Sequence, residues 1–420
     1  MRNEYFEIVG GNPLFGKTKV YSAKNAVLPM LAGAMLTSES VVIKDCPHIS
    51  DVENMVKIRE CLSLKTTWHG RDIVASGKVE NNHIPEHLAG VMRSSIFMLG
   101  PLLVETGKVK LHTPGGCKIG ARPIDIHLDG LEKLGAKIRL LEDGVECSAD
   151  RLHGAEIVLR YPSVGATENL ISAAVKAKGK TTLIGVAREP EVVSLCDMLV
   201  GMGAKIQGAG TSVIKIQGVE NLYGTTVTPV ADRIVAGTII LAVALTGGKV
   251  RVEGCDIRHL GALVTKLVSK HFVVIDSVGG VTVESDGQIE PFDVFSGPYP
   301  KFPTDLQPIA TAMLCQLRGE SMVEEKVFEN RFLYANELQK MGAEINVFKD
   351  KLLIRGKSLL GADVTATDLR GGAGLVVAGL KAKGVTKVRG VEHIDRGYEN
   401  IEYLFSNLQA KIARKIFEKI

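Results

Sequence analysis

Apolar and polar positions along this chain follow two rhythms in turn, and the succession itself recurs. A helical spacing that ends in a phrase of the type Leu-Gly-Ala-Lys-Ile, followed by strand-like alternation, stands at LEKLGAKIRL (131–140), LVGMGAKIQG (199–208) and LQKMGAEINV (338–347). Weaker copies are IRECLSLKTTW, LVTKLVSKHFV and FSNLQAKIARK. The glycine or its equivalent falls at 63, 135, 203, 269, 342 and 409, at intervals of 66 to 73 residues, so six units account for the chain. A second marker keeps the same step: runs of small residues end at Gly107, Gly179, Gly248, Gly319 and Gly384 and lead into strand patterns such as AVALTGGKVRVEG. Each unit predicts a small-residue helix, a glycine turn, a strand, a polar loop, an amphipathic helix and one or more alternating strands. That order is α/β with helices and strands in segregated layers, not a doubly wound nucleotide fold.

The last unit stops at KIARKIFEKI, before its terminal strands, while the opening IVGGNPLFGKTKVYSAKN resembles the end of the fifth unit, LLIRGKSLLGADVTATDLR. The first residues are therefore expected to complete the sixth unit. Six units split most simply into two domains of three, residues 22–231 and residues 232–420 with 1–21. The two chain crossings near 21 and 231 are then expected to form a hinge.

Length and composition fit this plan. The 420 residues are 45% hydrophobic and 23% charged, too many for one ordinary core. The longest apolar run, VAGTIILAVALTGG (235–248), is shorter than the roughly 18 residues of a membrane span, and MRNEYFEIVGG has no signal-peptide core, so neither insertion nor export is expected. Seven scattered cysteines without a C-x-x-C pair predict a reducing cytoplasm. A net charge of +4 and 5% aromatic residues argue against a nucleic-acid partner. No histidine or cysteine cluster has zinc spacing, and no phosphate-loop or dinucleotide motif is present, so neither a metal nor a cofactor is expected. The glycines of Gly371-Gly372-Ala373-Gly374 are read as serving helix packing or close ligand approach.

Polar residues collect at two places in the aligned units. Starts of the small-residue helices carry Lys24-Asn25, Arg93, Ser163 to Thr167, Arg233, Asp305 and Asp368-Leu369-Arg370. Loops after the next strand carry Cys117 with Arg122, Arg188 to Glu191, Asn330-Arg331 and Asp395-Arg396. Helix N-termini favour acidic or hydroxyl caps, so Lys24, Arg93 and Arg370 break the dipole rule and point to anion binding, with solvated charge or inter-repeat ion pairs as the plain alternative. With Arg122 and Arg396 they suggest a ligand with phosphate and carboxylate groups. Cys117, in HTPGGCKIGARPIDIH (112–127), has a glycine pair before it and Lys118 and Arg122 after it, a setting that tunes a thiol as acid or nucleophile. Asp305, in YPKFPTDLQPIATA, is either a helix cap or a general base.

Nine motifs in order, AKNAVLP (23–29), MRSS (92–95), PGGCKIGARPIDIH (114–127), PSVGATEN (162–169), AREPE (187–191), FPTDLQP (302–308), FENRF (328–332), TDLRGGA (367–373) and HIDRGYENIE (393–402), resemble the bacterial UDP-N-acetylglucosamine enolpyruvyl transferases over residues 5 to 418. The resemblance implies two inside-out α/β barrels, each of three repeats, with the active site in the cleft between them. It implies transfer of the enolpyruvyl group of phosphoenolpyruvate to the 3-hydroxyl of UDP-N-acetylglucosamine through a tetrahedral ketal, the committed step of peptidoglycan synthesis. By the same resemblance Cys117 is the acid, forms a covalent phosphoenolpyruvate adduct and is alkylated by fosfomycin, while Asp305 takes the hydroxyl proton. Lys24, Asn25, Arg122, Arg370 and Arg396 are implied to hold phosphoenolpyruvate, with Lys24 and Arg396 also serving the chemistry. Asn25, Arg93, Arg122, Pro123, Ile124, Asp125, Ile126, Ser163, Val164, Gly165, Asp305 and Val327 are implied to hold the nucleotide sugar.

Two positions depart from the family pattern: Lys301 stands where glycine is usual before Phe-Pro-Thr-Asp, and Tyr161 where some members have lysine. They bear on loop mobility and nucleotide affinity rather than on the reaction. The rival readings are 3-phosphoshikimate 1-carboxyvinyltransferase, which lacks the cysteine loop, and a non-catalytic paralogue that binds a UDP-sugar and regulates the pathway. A regulatory protein partner is left open.

Overall fold

The computed structural model describes residues 4–112, 115 and 124–416. The described chain divides into two compact units, one of residues 22–112, 115 and 124–230, the other of residues 4–21 and 231–416. Each has at its centre three helices of small and apolar residues, buried along most of their length. In the first unit these are Lys24–Gly33, Leu99–Thr106 and Val164–Ala174. In the second they are Arg233–Thr246, Gln307–Leu314 and Leu369–Lys381. Arg233–Thr246 takes up most of the long apolar run and is buried on all sides, so its all-round hydrophobicity serves the core. Among the described residues no helix is long and apolar enough to cross a membrane.

Close packing of these helices requires the glycines that the sequence spends on them. A Cβ on Gly100 would stand 2.4 Å from Asn169 Oδ1 of the neighbouring helix, and one on Gly374 would stand 2.8 Å from the carbonyl oxygen of Pro308. A side chain at either place would force the helices apart. Gly371 and Gly372 are packed in the same way, against Asp368 with Tyr334 and against Ile394 with Ala366.

Sheets form the outer layer, and five of the six have one strand order. The strand after the buried helix has an antiparallel hairpin on one side and, on the other, a parallel strand from the end of the preceding repeat. In the first unit Thr225–Val227 pairs with Val41–Ile43, a parallel bridge joins His83 to Lys110, and Glu156–Val158 pairs with Lys180–Ile184. In the second, Leu14–Lys19 pairs with Gly248–Glu253, Val294–Phe295 with Gly319–Glu324, and Asp363–Thr365 with Val385–Arg389. Each set of three repeats thus closes on itself, helices within and sheets outside. The strand Glu4–Val9 lies antiparallel between Val385–Arg389 and Lys411–Ile416 and supplies the sixth repeat's missing strand.

The repeat markers are turn residues. Gly107, Gly179, Gly248, Gly319 and Gly384 all have positive φ, from 69° to 136°, and so do Ser63, Gly135, Gly203, Gly342 and Gln409 after the second helix of their repeats. That backbone region is costly for a side chain, hence the recurrence of glycine. Ser269 is the exception. Its helix, Gly261–Leu267, ends in an extended Val268, and paired backbone bonds between Ser269 and Phe272 make the turn without a left-handed residue.

Candidate functional site

In the unit of residues 22–230 the sequence places bases at two helix starts that lack a side-chain cap. Lys24 opens Lys24–Gly33 behind an uncapped Ala23, and Arg93 opens Arg93–Met98 behind an uncapped Met92. Lys24 is buried, and its Nζ lies 2.7 Å from Oδ2 of Asp51 in the first turn of Ser50–Cys61. Asn25, next to it, is half-buried. Val164–Ala174 is capped instead, by Ser163 Oγ accepting the Ala166 N–H at 3.3 Å, and Ser163, Val164 and Gly165 are all half-buried.

His127 gathers these pieces. It lies on Asp125–Lys133, is 6% exposed, and its ring occupies the space beside Gly165, where a Cβ would come within 3.3 Å of Cε1. Asn169 Nδ2 donates to His127 Nδ1 at 3.1 Å and to the Ile96 carbonyl at 2.9 Å, while Asn169 Oδ1 accepts the Gly100 N–H at 2.6 Å. Nδ1 is therefore an acceptor and the proton sits on Nε2. Burial first, then the charge of Arg93, push His127 down to about 3, against a smaller pull from Asp125, so the ring is neutral. Ile124 packs against the core, and the Asp125 carboxylate pairs with Arg160 and accepts the Ile126 N–H at 2.8 Å. Further along the same helix as Gly165, Glu168 is wholly buried, and among the described residues neither of its oxygens has a hydrogen-bond partner. Burial, then Glu191 and Glu189, raise it well above the carboxylate range.

In the unit of residues 4–21 and 231–416, Asp305 proves not to be a cap. Helix Gln307–Leu314 begins behind Leu306 with no side-chain cap. Asp305 instead receives Arg331 Nη2 on Oδ1 and Arg370 Nη2 on Oδ2, each at 3.1 Å. Both guanidinium groups are nearly fully buried, and among the described residues Arg331 Nε and Arg370 Nε and Nη1 have no hydrogen-bond partner. Burial alone would lower Arg370, but Asp305, Tyr398 and Asp232 outweigh it and hold the cation firmly charged. Two buried cations on one partly exposed carboxylate leave a net positive charge at this place. The turn at 395–398 lies against the same helix start: the Arg370 guanidinium carbon is 5.4 Å from the Tyr398 ring centre, and Gly397 abuts Leu369. Asp395, next to the half-buried Arg396, takes two bonds from Arg414, at 2.9 and 2.6 Å, and Arg414 also bonds Glu402 and Glu4. Val327 is half-buried, and its N–H donates to Glu325 Oε1 at 2.7 Å.

Each unit thus assembles its own part of the predicted set. Cys117, Arg122 and Pro123 lie outside the described residues. Lys301 is exposed, its side chain running past Gly297, and Tyr161 is 37% exposed in the turn before Ser163. The set given catalytic or ligand roles omitted Asp51, His127, Asn169, Glu325 and Arg331, although Arg331 stood among the polar loop residues. Asp51 and Arg331 stand at the second polar position of their repeats, opposite Lys24 and Asp305 at the first, so charge complementarity between the two positions would have found them. The group of His127, Asn169 and Gly100 had no such sign.

The family model for EPSP synthase (3-phosphoshikimate 1-carboxyvinyltransferase) matches residues 8–404. UDP-N-acetylglucosamine 1-carboxyvinyltransferase 2 of Carboxydothermus hydrogenoformans is 45% identical over 415 residues, spanning 98% of this chain and 99% of its own. UDP-N-acetylglucosamine 1-carboxyvinyltransferase of Halothermothrix orenii is 44% identical, spanning 97% and 99%. Among solved structures, the enolpyruvyl transferase NikO of Streptomyces tendae superposes with a TM-score of 0.88 at 25% identity over 99% of both chains. EPSP synthase of Acinetobacter baumannii, at 17% identity and a TM-score of 0.75 over 98% of this chain and 100% of its own, shares the fold. With the buried arginine pair on Asp305 and full-length identity of this order, the chain belongs to the enolpyruvyl transferase family, among the UDP-N-acetylglucosamine 1-carboxyvinyltransferases.

Proposed function

We propose that this protein transfers the enolpyruvyl group of phosphoenolpyruvate to the 3-hydroxyl of UDP-N-acetylglucosamine and releases phosphate. The observation that carries the reading is the Arg331–Asp305–Arg370 group, in which a partly exposed carboxylate is fixed by two buried cations. In the addition step the sugar oxygen bonds C2 of phosphoenolpyruvate, its proton leaves to a base, and an acid protonates the C3 methylene. In the elimination step the ketal loses a proton from C3 and phosphate from C2, which restores the enol ether. We assign the acid to Cys117 and the base to Asp305, a role of the kind typically worth about 10² to 10⁴ in rate. Lys24, Arg122, Arg370 and Arg396 offset the charge on phosphate and carboxylate. Asn25, Arg93, Pro123 to Ile126, Ser163 to Gly165 and Val327 hold the nucleotide sugar. His127 supports this set by fixing the ground beneath Gly165 and Arg93.

Both proposed substrates are small anions of the cytoplasm, and the six described cysteines are free thiols, which supports a cytoplasmic site of action. The test is phosphate release from phosphoenolpyruvate with UDP-N-acetylglucosamine, with shikimate 3-phosphate, and with neither. Release only with the nucleotide sugar, lost in Cys117→Ala and in Asp305→Asn, is expected. Release that follows shikimate 3-phosphate would replace the acceptor, and binding without release would favour a regulatory paralogue.

A further inference from the structure

Glu325, immediately after strand Gly319–Glu324, is 3% exposed, and among the described residues no cation lies within ion-pair distance of its carboxylate. Neutral donors hold it instead. Oε2 accepts from Ser296 Oγ and Thr304 Oγ1, both at 2.8 Å, and Oε1 accepts from the backbone N–H groups of Val327 at 2.7 Å and Phe328 at 3.2 Å. The Ser296 hydroxyl is also 2.9 Å from the Glu324 carbonyl, but it has one proton, and the charged acceptor takes it. A buried carboxylate without a counter-ion is expensive to keep, and four converging donors are what make it tolerable.

The same short segment closes on Thr304 from its other side. Arg331 Nη2 donates to the Thr304 carbonyl at 3.1 Å while also bonding Asp305. Thr304 is thus held by its hydroxyl through Glu325 and by its carbonyl through Arg331, and the Val327 turn folds around the same carboxylate. We propose that Glu325 is a positioning residue that fixes Asp305 relative to the Val327 turn and so sets the geometry of the acceptor sugar. This rests on the reading that Asp305 and Val327 serve UDP-N-acetylglucosamine. A glutamine in its place keeps the shape: its oxygen can stay on the two amides while its NH₂ faces hydroxyls able to turn and accept. Alanine takes the acceptor from Thr304 Oγ1 and from the two backbone N–H groups, while Ser296 can turn its proton to the Glu324 carbonyl.

The experiment compares steady-state kinetics of the intact enzyme with Glu325→Gln, Glu325→Ala and Thr304→Val, the last removing one donor at nearly constant shape. Calorimetric titration with UDP-N-acetylglucosamine runs alongside. For Glu325→Ala and Thr304→Val, KM and Kd for the nucleotide sugar are expected to rise about ten- to a hundredfold, with KM for phosphoenolpyruvate within about twofold, and Glu325→Gln is expected to recover most of the loss. If Glu325→Ala does not fold, Thr304→Val carries the test. Unchanged sugar constants in Thr304→Val, or equal rises for both substrates, overturn the inference alone. An intact protein that neither binds nor uses UDP-N-acetylglucosamine overturns the underlying reading, and the inference with it.

Discussion

Acidification should act on the unit of residues 22–230 through His127. In the fold its Nδ1 accepts from Asn169 Nδ2, so a proton added there would set donor against donor in a buried site. The folded value is pushed down to about 3 from an ordinary 6.5. Because the folded pKa is depressed, the unfolded chain takes up the proton first. The stability that depends on neutral His127 is therefore fully present above 6.5 and is lost as pH falls from 6.5 towards 3. From pH 7.5 to pH 5 the loss is about 2 kcal/mol, at about 1.36 kcal/mol per pH unit below 6.5. For a unit of this size that lowers its melting temperature by about 4–8 °C. Glu168 runs the other way: its folded pKa is raised, so its contribution is present at low pH and is lost as pH rises. The intact protein alone can thus look nearly flat, and the informative quantity is its difference from His127→Gln, whose amide oxygen can still accept from Asn169. Calorimetry at pH 7.5 and pH 5 should show the intact protein losing about 2 kcal/mol more than the variant. Equal losses would refute the assignment of a neutral, buried His127.

Thiol chemistry should be selective: burial pushes Cys46, Cys147, Cys196, Cys255 and Cys315 up to about 12, so peptide mapping after alkylation of the native protein at pH 7.5 should find label only on Cys61 and Cys117, and fosfomycin only on Cys117. Label on any of the five in the folded protein would contradict this. Arg414→Met removes two bonds from Asp395 and should raise KM for phosphoenolpyruvate about tenfold through the neighbouring Arg396, while KM for the nucleotide sugar stays unchanged in the same steady-state assay. Gly100→Ala drives a methyl to 2.4 Å from Asn169 Oδ1 and should cost about 1–3 kcal/mol in urea unfolding, with a neutral result showing that the helices can separate freely.

Periodicity made the architecture legible because most of the repeats end their helices at left-handed turns, and glycine is the residue those turns select. The rule fails at Ser269, where another turn does the same work, and a pattern of residue types cannot announce that exchange. Lys24, Arg93, Asp305 and Arg370 were legible as chemistry because each stands at a helix start where the dipole favours something else or where two uses compete. The partners that hold Asp305 away from a capping role are Arg331, 26 residues on, and Arg370, 65 residues on, too distant for a local pattern to announce. Glu325 and Asn169 were illegible for the same reason. Their importance lies in which donors and acceptors meet them in the packed fold, and neither residue stands out by type or spacing.

The most direct measurement is the mass of the nucleotide sugar after incubation of the protein with phosphoenolpyruvate and UDP-N-acetylglucosamine, with phosphate counted in the same sample. A nucleotide sugar heavier by one enolpyruvyl unit, formed one for one with phosphate and absent in Asp305→Asn, is the result this account predicts. An unmodified nucleotide sugar recovered from a folded protein that binds it would contradict the proposed transfer.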